Sequence, residues 1–156
     1  MIGFPGEQGC RIMDMGELRR QHEEISLTAR QLSQAVAETC QPSGVGRLRW
    51  QLARQLMTHL ALEDRLLYPT LSRSADAQTR DLAAALQRDT GALAKRFGAY
   101  MTRWSDDRIA REWSAYCADT RLILKALTER IEREDRMLYR PTHSPSTREL
   151  PLARPA

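Results

Sequence analysis

Apolar residues recur every three or four positions in four long stretches of the chain, a spacing that is typical of amphipathic helices. They predict helix A over residues 15–39, helix B over 46–68, helix C over 78–104 and helix D from the turn at 105–107 to residue 139. Polar segments separate the helices, and no alternating run predicts a strand. Four long helices with short connections predict an all-α, up-down-up-down antiparallel four-helix bundle.

The predicted inner faces of these helices are mostly apolar, but each is interrupted by ionisable residues. The predicted inner seam of helix B continues past Glu63 to Leu66 and Thr70, and that of helix A is Leu18, His22, Ile25, Ala29, Leu32 and Val36. The interruptions lie at similar distances from one end of the bundle: His22, His59, Glu63, Asp89, Arg130 and Glu134. At a rise of about 1.5 Å per residue, all six side chains can converge on one layer of the core. Burying an isolated charge costs several kcal/mol. The layer therefore predicts either mutual ion pairing or a bound metal ion.

Length, composition and charge limit the domain organisation, the location and the possible partners of the chain. The chain has 156 residues and 42% apolar content, which fits one domain over residues 14–140, flanked by a flexible segment at 1–13 and a disordered Pro-rich tail at 141–156. The net charge is +4, but the basic residues are scattered among acidic ones, so we do not expect nucleic-acid binding. No apolar run reaches the roughly 18 residues of a membrane span. Three widely spaced cysteines without a CxxC motif predict a cytoplasmic protein.

Three motifs resemble the hemerythrin-like HHE cation-binding domains. Helix B carries an HxxxE motif in HLALEDRLLYP (59–69), and helix A carries a single histidine in RRQHEEI (19–25). Helix D ends in EDRMLY (134–139), which repeats the EDRLLY of 63–68. The resemblance covers about residues 14–140. It implies a hemerythrin-like bundle in which histidines and carboxylates hold two iron ions with an open position for dioxygen.

The resemblance also implies a set of metal ligands, with two departures. His22, His59, Glu63 and Glu134 match the family pattern. Asp89 stands where the family has the histidine of the third helix, and its carboxylate could still bind a divalent ion. Arg130 stands where the family has the histidine of the fourth helix, and a guanidinium cannot bind a metal ion.

Two hypotheses follow from Arg130. In the first, the chain holds one ion or none rather than two (iron, zinc or manganese) and acts as a sensing or regulatory module for O2, NO or redox state. It is then neither an oxygen carrier nor an enzyme. In the second, Arg130 bridges Glu63 and Glu134 in bidentate fashion, and the metal-free bundle binds a protein partner. A homodimer is compatible with both.

Four residues beside the predicted layer are open to more than one interpretation. Asp64 and Asp135 are either surface charges or groups that orient the ligands. Tyr68 and Tyr139 end helices B and D at equivalent places. We expect them to close that end of the bundle by packing and hydrogen bonding.

Overall fold

The computed structural model describes residues 15–138, and this part of the chain is helical without any strand. The elements are α1 (Met15–Ala35), α2 (Val45–Leu62), a π-helical turn (Glu63–Leu67), α3 (Tyr68–Ser72), α4 (Ala77–Arg103), α5 (Asp106–Arg111) and α6 (Trp113–Leu138). This confirms the all-α prediction. The predicted flexible segment 1–13, the predicted tail 141–156 and Tyr139 lie outside the described residues.

The four longer helices, α1, α2, α4 and α6, surround one core. Helix α1 contacts α2 and α6, and α4 also contacts α2 and α6, so each long helix has two long neighbours. The α1 seam is buried at every predicted position: Leu18, His22, Ile25, Ala29, Leu32 and Val36. None of the described helices is long and apolar enough to cross a membrane.

The helix ends differ from the predicted ends in two places. Helix α1 stops at Ala35 rather than near residue 39, and the link to α2 ends at Gly44, which has a φ of +88° that favours glycine. Helix D is broken at Glu112, which separates α5 from α6. Ser105, in the predicted turn, caps α5, since its side chain accepts a hydrogen bond from the backbone N–H of Arg108.

Helix B is also irregular near its C-terminal end. The residues from Glu63 to Leu67 form a π-helical turn, and the backbone N–H of Tyr68 donates to the carbonyl of Glu63, five residues earlier. Pro69 gives a physical reason, because its ring has no N–H and crowds the carbonyl four residues before it. The wider turn changes which residues face the core. Leu67 and Tyr68 are buried, whereas Thr70, predicted to be in the seam, is exposed.

Candidate metal centre

Four buried side chains meet in the layer that the sequence predicts. His22 comes from α1, His59 from α2, Glu63 from the π-helical turn and Glu134 from α6. Each offers one nitrogen or oxygen atom, and the four atoms lie within 4.8 Å of one another. All four residues are at most 2% exposed. The group combines two imidazoles and two carboxylates, which together suit iron, manganese or zinc.

Two ring nitrogens face each other at the centre of the group. Nε2 of His22 lies 3.0 Å from Nε2 of His59. The Nε2 of His59 also lies 3.0 Å from Oε1 of Glu63, and that of His22 lies 3.9 Å from Oε1 of Glu134. His59 and Glu63 are one helical turn apart, so both project from the same face.

The outer nitrogens of both imidazoles are held by acceptors, which determines where their protons lie. Nδ1 of His22 lies 2.6 Å from Oδ1 of Asp135, a carboxylate oxygen that accepts. Nδ1 of His59 lies 3.0 Å from Oε1 of Gln21. The amide nitrogen of Gln21 donates to Glu17, which orients the amide and leaves its oxygen as the acceptor toward His59. Each neutral ring therefore carries its proton on Nδ1 and a lone pair on Nε2.

Two lone pairs 3.0 Å apart repel each other unless a cation or a shared proton lies between them. Protonation of His59 is disfavoured, because burial lowers its pKa by more than the negative charge of Glu134 raises it, and Arg130 lowers it further against a smaller opposing effect of Asp135. The donor set thus fits a metal ion. A carboxylate or carbonyl on the outer nitrogen of a metal-binding histidine is also the usual arrangement in metal sites.

The two carboxylates also present unsatisfied oxygens. Oε1 of Glu63 and Oε1 of Glu134 are buried and have no hydrogen-bond partner in the described structure. Burial, together with the neighbouring carboxylate of Glu63, raises the pKa of Glu134 to about 8. Without a metal ion, Glu134 therefore holds a proton at neutral pH. A metal ion would satisfy both oxygens and displace that proton.

Arg130 is buried beside the group but does not bridge the two carboxylates as predicted. Its Nε lies 3.3 Å from Oε2 of Glu134 in an ion pair without hydrogen-bond geometry, and its Nη1 has no hydrogen-bond partner among the described residues. Its Nη2 donates to the hydroxyl of Tyr68 at 2.9 Å and also to Thr90. The Tyr68 hydroxyl in turn donates to Oε2 of Glu63 at 3.0 Å. Tyr68 thus relays the contact between the guanidinium and Glu63.

The structure corrects the expected place of Asp89. Its side chain is 49% exposed and pairs with Arg133 on the surface, so it does not lie in the predicted layer. Thr90, the next residue, is buried and occupies the layer instead. The α4 seam runs through Ala83, Leu86, Thr90, Leu93, Phe97 and Tyr100, with alternating steps of three and four. The sequence carries this signal, because Thr90 fits the spacing better than Asp89.

The two aspartates beside the layer differ in their contacts. Asp135 accepts a hydrogen bond from His22, whereas Asp64 is exposed. Tyr68 is a member of the hydrogen-bond network and does more than close the bundle end. Gln21, which holds His59, was missed by sequence reasoning, and only its position next to His22 could have indicated a role.

The sequence of the whole bundle matches a known protein family. The model of the hemerythrin HHE cation-binding domain matches residues 14–140. The chain belongs to this family. Comparisons with curated proteins and with solved structures return no match.

The family gives the polar layer of this hemerythrin-domain chain a chemical context. Hemerythrin-like domains bind metal cations, typically iron, and take up small ligands such as O2 when they are metallated. Within the described residues, the group of four donors is a candidate site for such a cation. The predicted resemblance to the family is confirmed.

Proposed function

We propose that this chain is a hemerythrin-type module that binds a single divalent cation through His22, His59, Glu63 and Glu134. One observation carries the proposal: the two Nε2 lone pairs face each other at 3.0 Å while both outer nitrogens are engaged. Four donors from four elements suit one ion with room for a further ligand. When bound, the ion would supply an open coordination position for O2 or NO.

The protein residues around the ion hold its ligands and limit the charge of the centre. Asp135 and Gln21 fix the two imidazole rings, and Tyr68 fixes the orientation of the Glu63 carboxylate. Arg130 places a permanent positive charge next to Glu134, where it repels a second cation. A centre with one ion does not suit reversible oxygen transport by the family's two-iron arrangement. It suits a sensing or regulatory role, in which a small ligand or a redox change alters the bundle.

We further propose that the four longer helices form the up-down-up-down bundle. Support comes from hydrogen bonds between neighbouring helices. Gln51 donates to Thr28 and His59 reaches Gln21, so positions advance along α2 as they recede along α1. Asp135 pairs with His22 at the other end of α6 from Arg121, which reaches the carbonyl of Val36. These pairs indicate antiparallel neighbours.

Metal analysis of the purified chain tests the proposal. Protein purified without added metal is assayed for elements, then stripped and titrated with Zn2+ or Fe2+. We expect one ion per chain. His59→Ala and Glu134→Gln should each weaken binding by more than the roughly 10–100-fold typical of losing an outer partner. Asp89→Asn is the matched control, since the exposed Asp89 should leave affinity unchanged.

Several outcomes would contradict a single-ion centre. Two ions per chain would overturn our interpretation of Arg130. An affinity loss in Asp89→Asn equal to that in His59→Ala would place the site elsewhere. Iron as the native ion, the cytoplasmic location and a homodimer stay predictions.

A metal-free protein-interaction module is the second candidate. The contacts from Arg130 to Glu134, and through Tyr68 to Glu63, favour it, because they partly neutralise the buried carboxylates without a metal ion. This candidate predicts no measurable affinity for Zn2+ or Fe2+. It also predicts that His22→Ala or His59→Ala changes partner binding little.

A further inference from the structure

The four donors are at most 2% exposed, so an ion from solvent must pass between packed helices to reach them. Of the four donors, His22 borders a surface cavity. This cavity lies between α1 and α6, has a volume of about 440 Å³ and is lined by His22 and Asp135, together with Arg19, Glu23, Ser26 and Arg30. Four further surface cavities in the described part of the chain have none of the four donors in their walls.

Asp135 connects this cavity to the buried centre. Its side chain is 44% exposed, yet Oδ1 lies 2.6 Å from Nδ1 of His22, which is buried. A partly exposed carboxylate is the ligand type that hydrated divalent cations accept while they keep most of their water. We propose that the cavity at Asp135 is the port through which the metal ion reaches the centre, and that the Asp135 carboxylate is its first ligand. This rests on the proposed single-ion function.

The other imidazole offers a competing route that is less suitable. A smaller cavity of about 240 Å³ includes Gln21, the partner of His59, together with Glu17 and Thr58. The group that reaches His59 there is a neutral amide. The only carboxylate that contacts this amide in the described structure, Glu17, is already paired with Arg20. A hydrated cation therefore has a weaker first ligand at this cavity than at Asp135.

The charges around the port give an independent prediction. Glu23 and Asp135 attract a cation, whereas Arg19 and Arg30 repel one, so the wall has no net charge. Arg30 is exposed and lines both this cavity and the adjoining one along α1 and α6. Reversing its charge should raise the local concentration of cations and speed uptake, and added salt should reduce that gain.

The rate of metal uptake tests the port. Metal-free full-length chain is mixed with Co2+ in a stopped-flow instrument, and the visible absorption of the bound ion is followed. Ser26→Trp, which narrows the port one turn from His22, should slow uptake by roughly tenfold or more. Thr58→Trp places the same bulk at the competing cavity and should leave the rate within about twofold of wild type. Final stoichiometry and spectrum should be unchanged in both.

Two further variants keep the test decisive. If Ser26→Trp does not fold, Arg30→Glu should accelerate uptake at low salt, and no acceleration would count against the port. Asp135→Glu, which keeps the carboxylate, should take up Co2+ faster than Asp135→Asn. If Thr58→Trp slows Co2+ uptake instead of Ser26→Trp, or if neither variant slows it, the proposed port is wrong, whereas the proposed centre is unaffected. Failure of every form, including wild type, to bind Co2+ would overturn the centre itself.

Discussion

Arg130 is the buried charge whose removal best tests the account of the centre. Arg130→Met keeps a long unbranched side chain and removes the guanidinium. The variant leaves Glu134 without its 3.3 Å ion pair. It also removes the donor to Tyr68 and Thr90. The buried carboxylates then have no compensating positive charge in a metal-free protein.

The expected cost can be bounded from these contacts. Removing one partner of a buried ion pair typically destabilises a protein by about 3–5 kcal/mol. We expect the lower end of this range, about 3 kcal/mol, because Glu134, whose pKa is raised to about 8, already holds a proton at pH 7 and does not become an unpaired buried charge when the guanidinium is removed. For a domain of this size, that loss lowers the Tm by roughly 10 °C.

Thermal and urea unfolding at pH 7 give the measurement, with and without saturating Zn2+. Zinc should stabilise Arg130→Met more than wild type, because the ion replaces the missing positive charge between the carboxylates. The matched control is Arg133→Met, which removes an exposed arginine paired with Asp89 and should cost at most about 1 kcal/mol. If Arg130→Met loses no more stability than this control, the guanidinium does not compensate the carboxylates and the account is wrong.

Three further predictions follow from the centre. In the metal-free protein, the raised pKa of Glu134 stabilises the folded state at low pH, and this contribution is lost as pH rises toward 8. The lowered pKa of His59 acts in the opposite sense only below 6.5. The free energy of unfolding, measured with urea, should therefore fall by on the order of 2 kcal/mol between pH 6.5 and 8, and a flat profile would contradict the assignment. Tyr68→Phe leaves Glu63 without its donor and should cost about 1–3 kcal/mol in urea unfolding, and a neutral result would remove the relay. Arg130→His should raise the stoichiometry in a Zn2+ titration from one ion toward two, and unchanged stoichiometry and affinity would show that the arginine does not exclude a second ion.

The sequence predicted the polar layer well where helices are regular. Every seam position of α1 is buried as predicted, and the four donors meet although they lie up to 112 positions apart, from His22 to Glu134. Regular 3.6-residue periodicity is sufficient for such predictions, because seam residues at equal heights must meet in a bundle.

The errors arise where two neighbouring registers compete or where the helix is irregular. On α4, Asp89 and Thr90 are adjacent, and the ligand chemistry of the Asp89 carboxylate favoured it over the better-spaced hydroxyl of Thr90. Beyond Glu63, a prediction from 3.6-residue periodicity does not include the extra residue of a π-helical turn. Leu66 and Thr70 were therefore predicted to face the core in place of Leu67 and Tyr68. The contact of Arg130 with Tyr68 depends on that turn and could not be predicted from spacing.

The π-helical turn at Glu63–Leu67 also has a consequence for how such a centre changes during evolution. A π-helical turn holds one more residue than an α-helical turn in its place. Losing one codon within it would restore a regular helix without turning the residues that follow to another face, because the wider turn already absorbs the extra residue. Inserting one more residue after Glu63 into a regular helix would instead rotate the residues that follow by about 100°. Tyr68 would then leave Glu63, while His59 and Glu63 would keep their spacing. The π-helical turn is therefore the device that lets the chain hold an extra residue here and still keep the ligands and their hydrogen-bond network together.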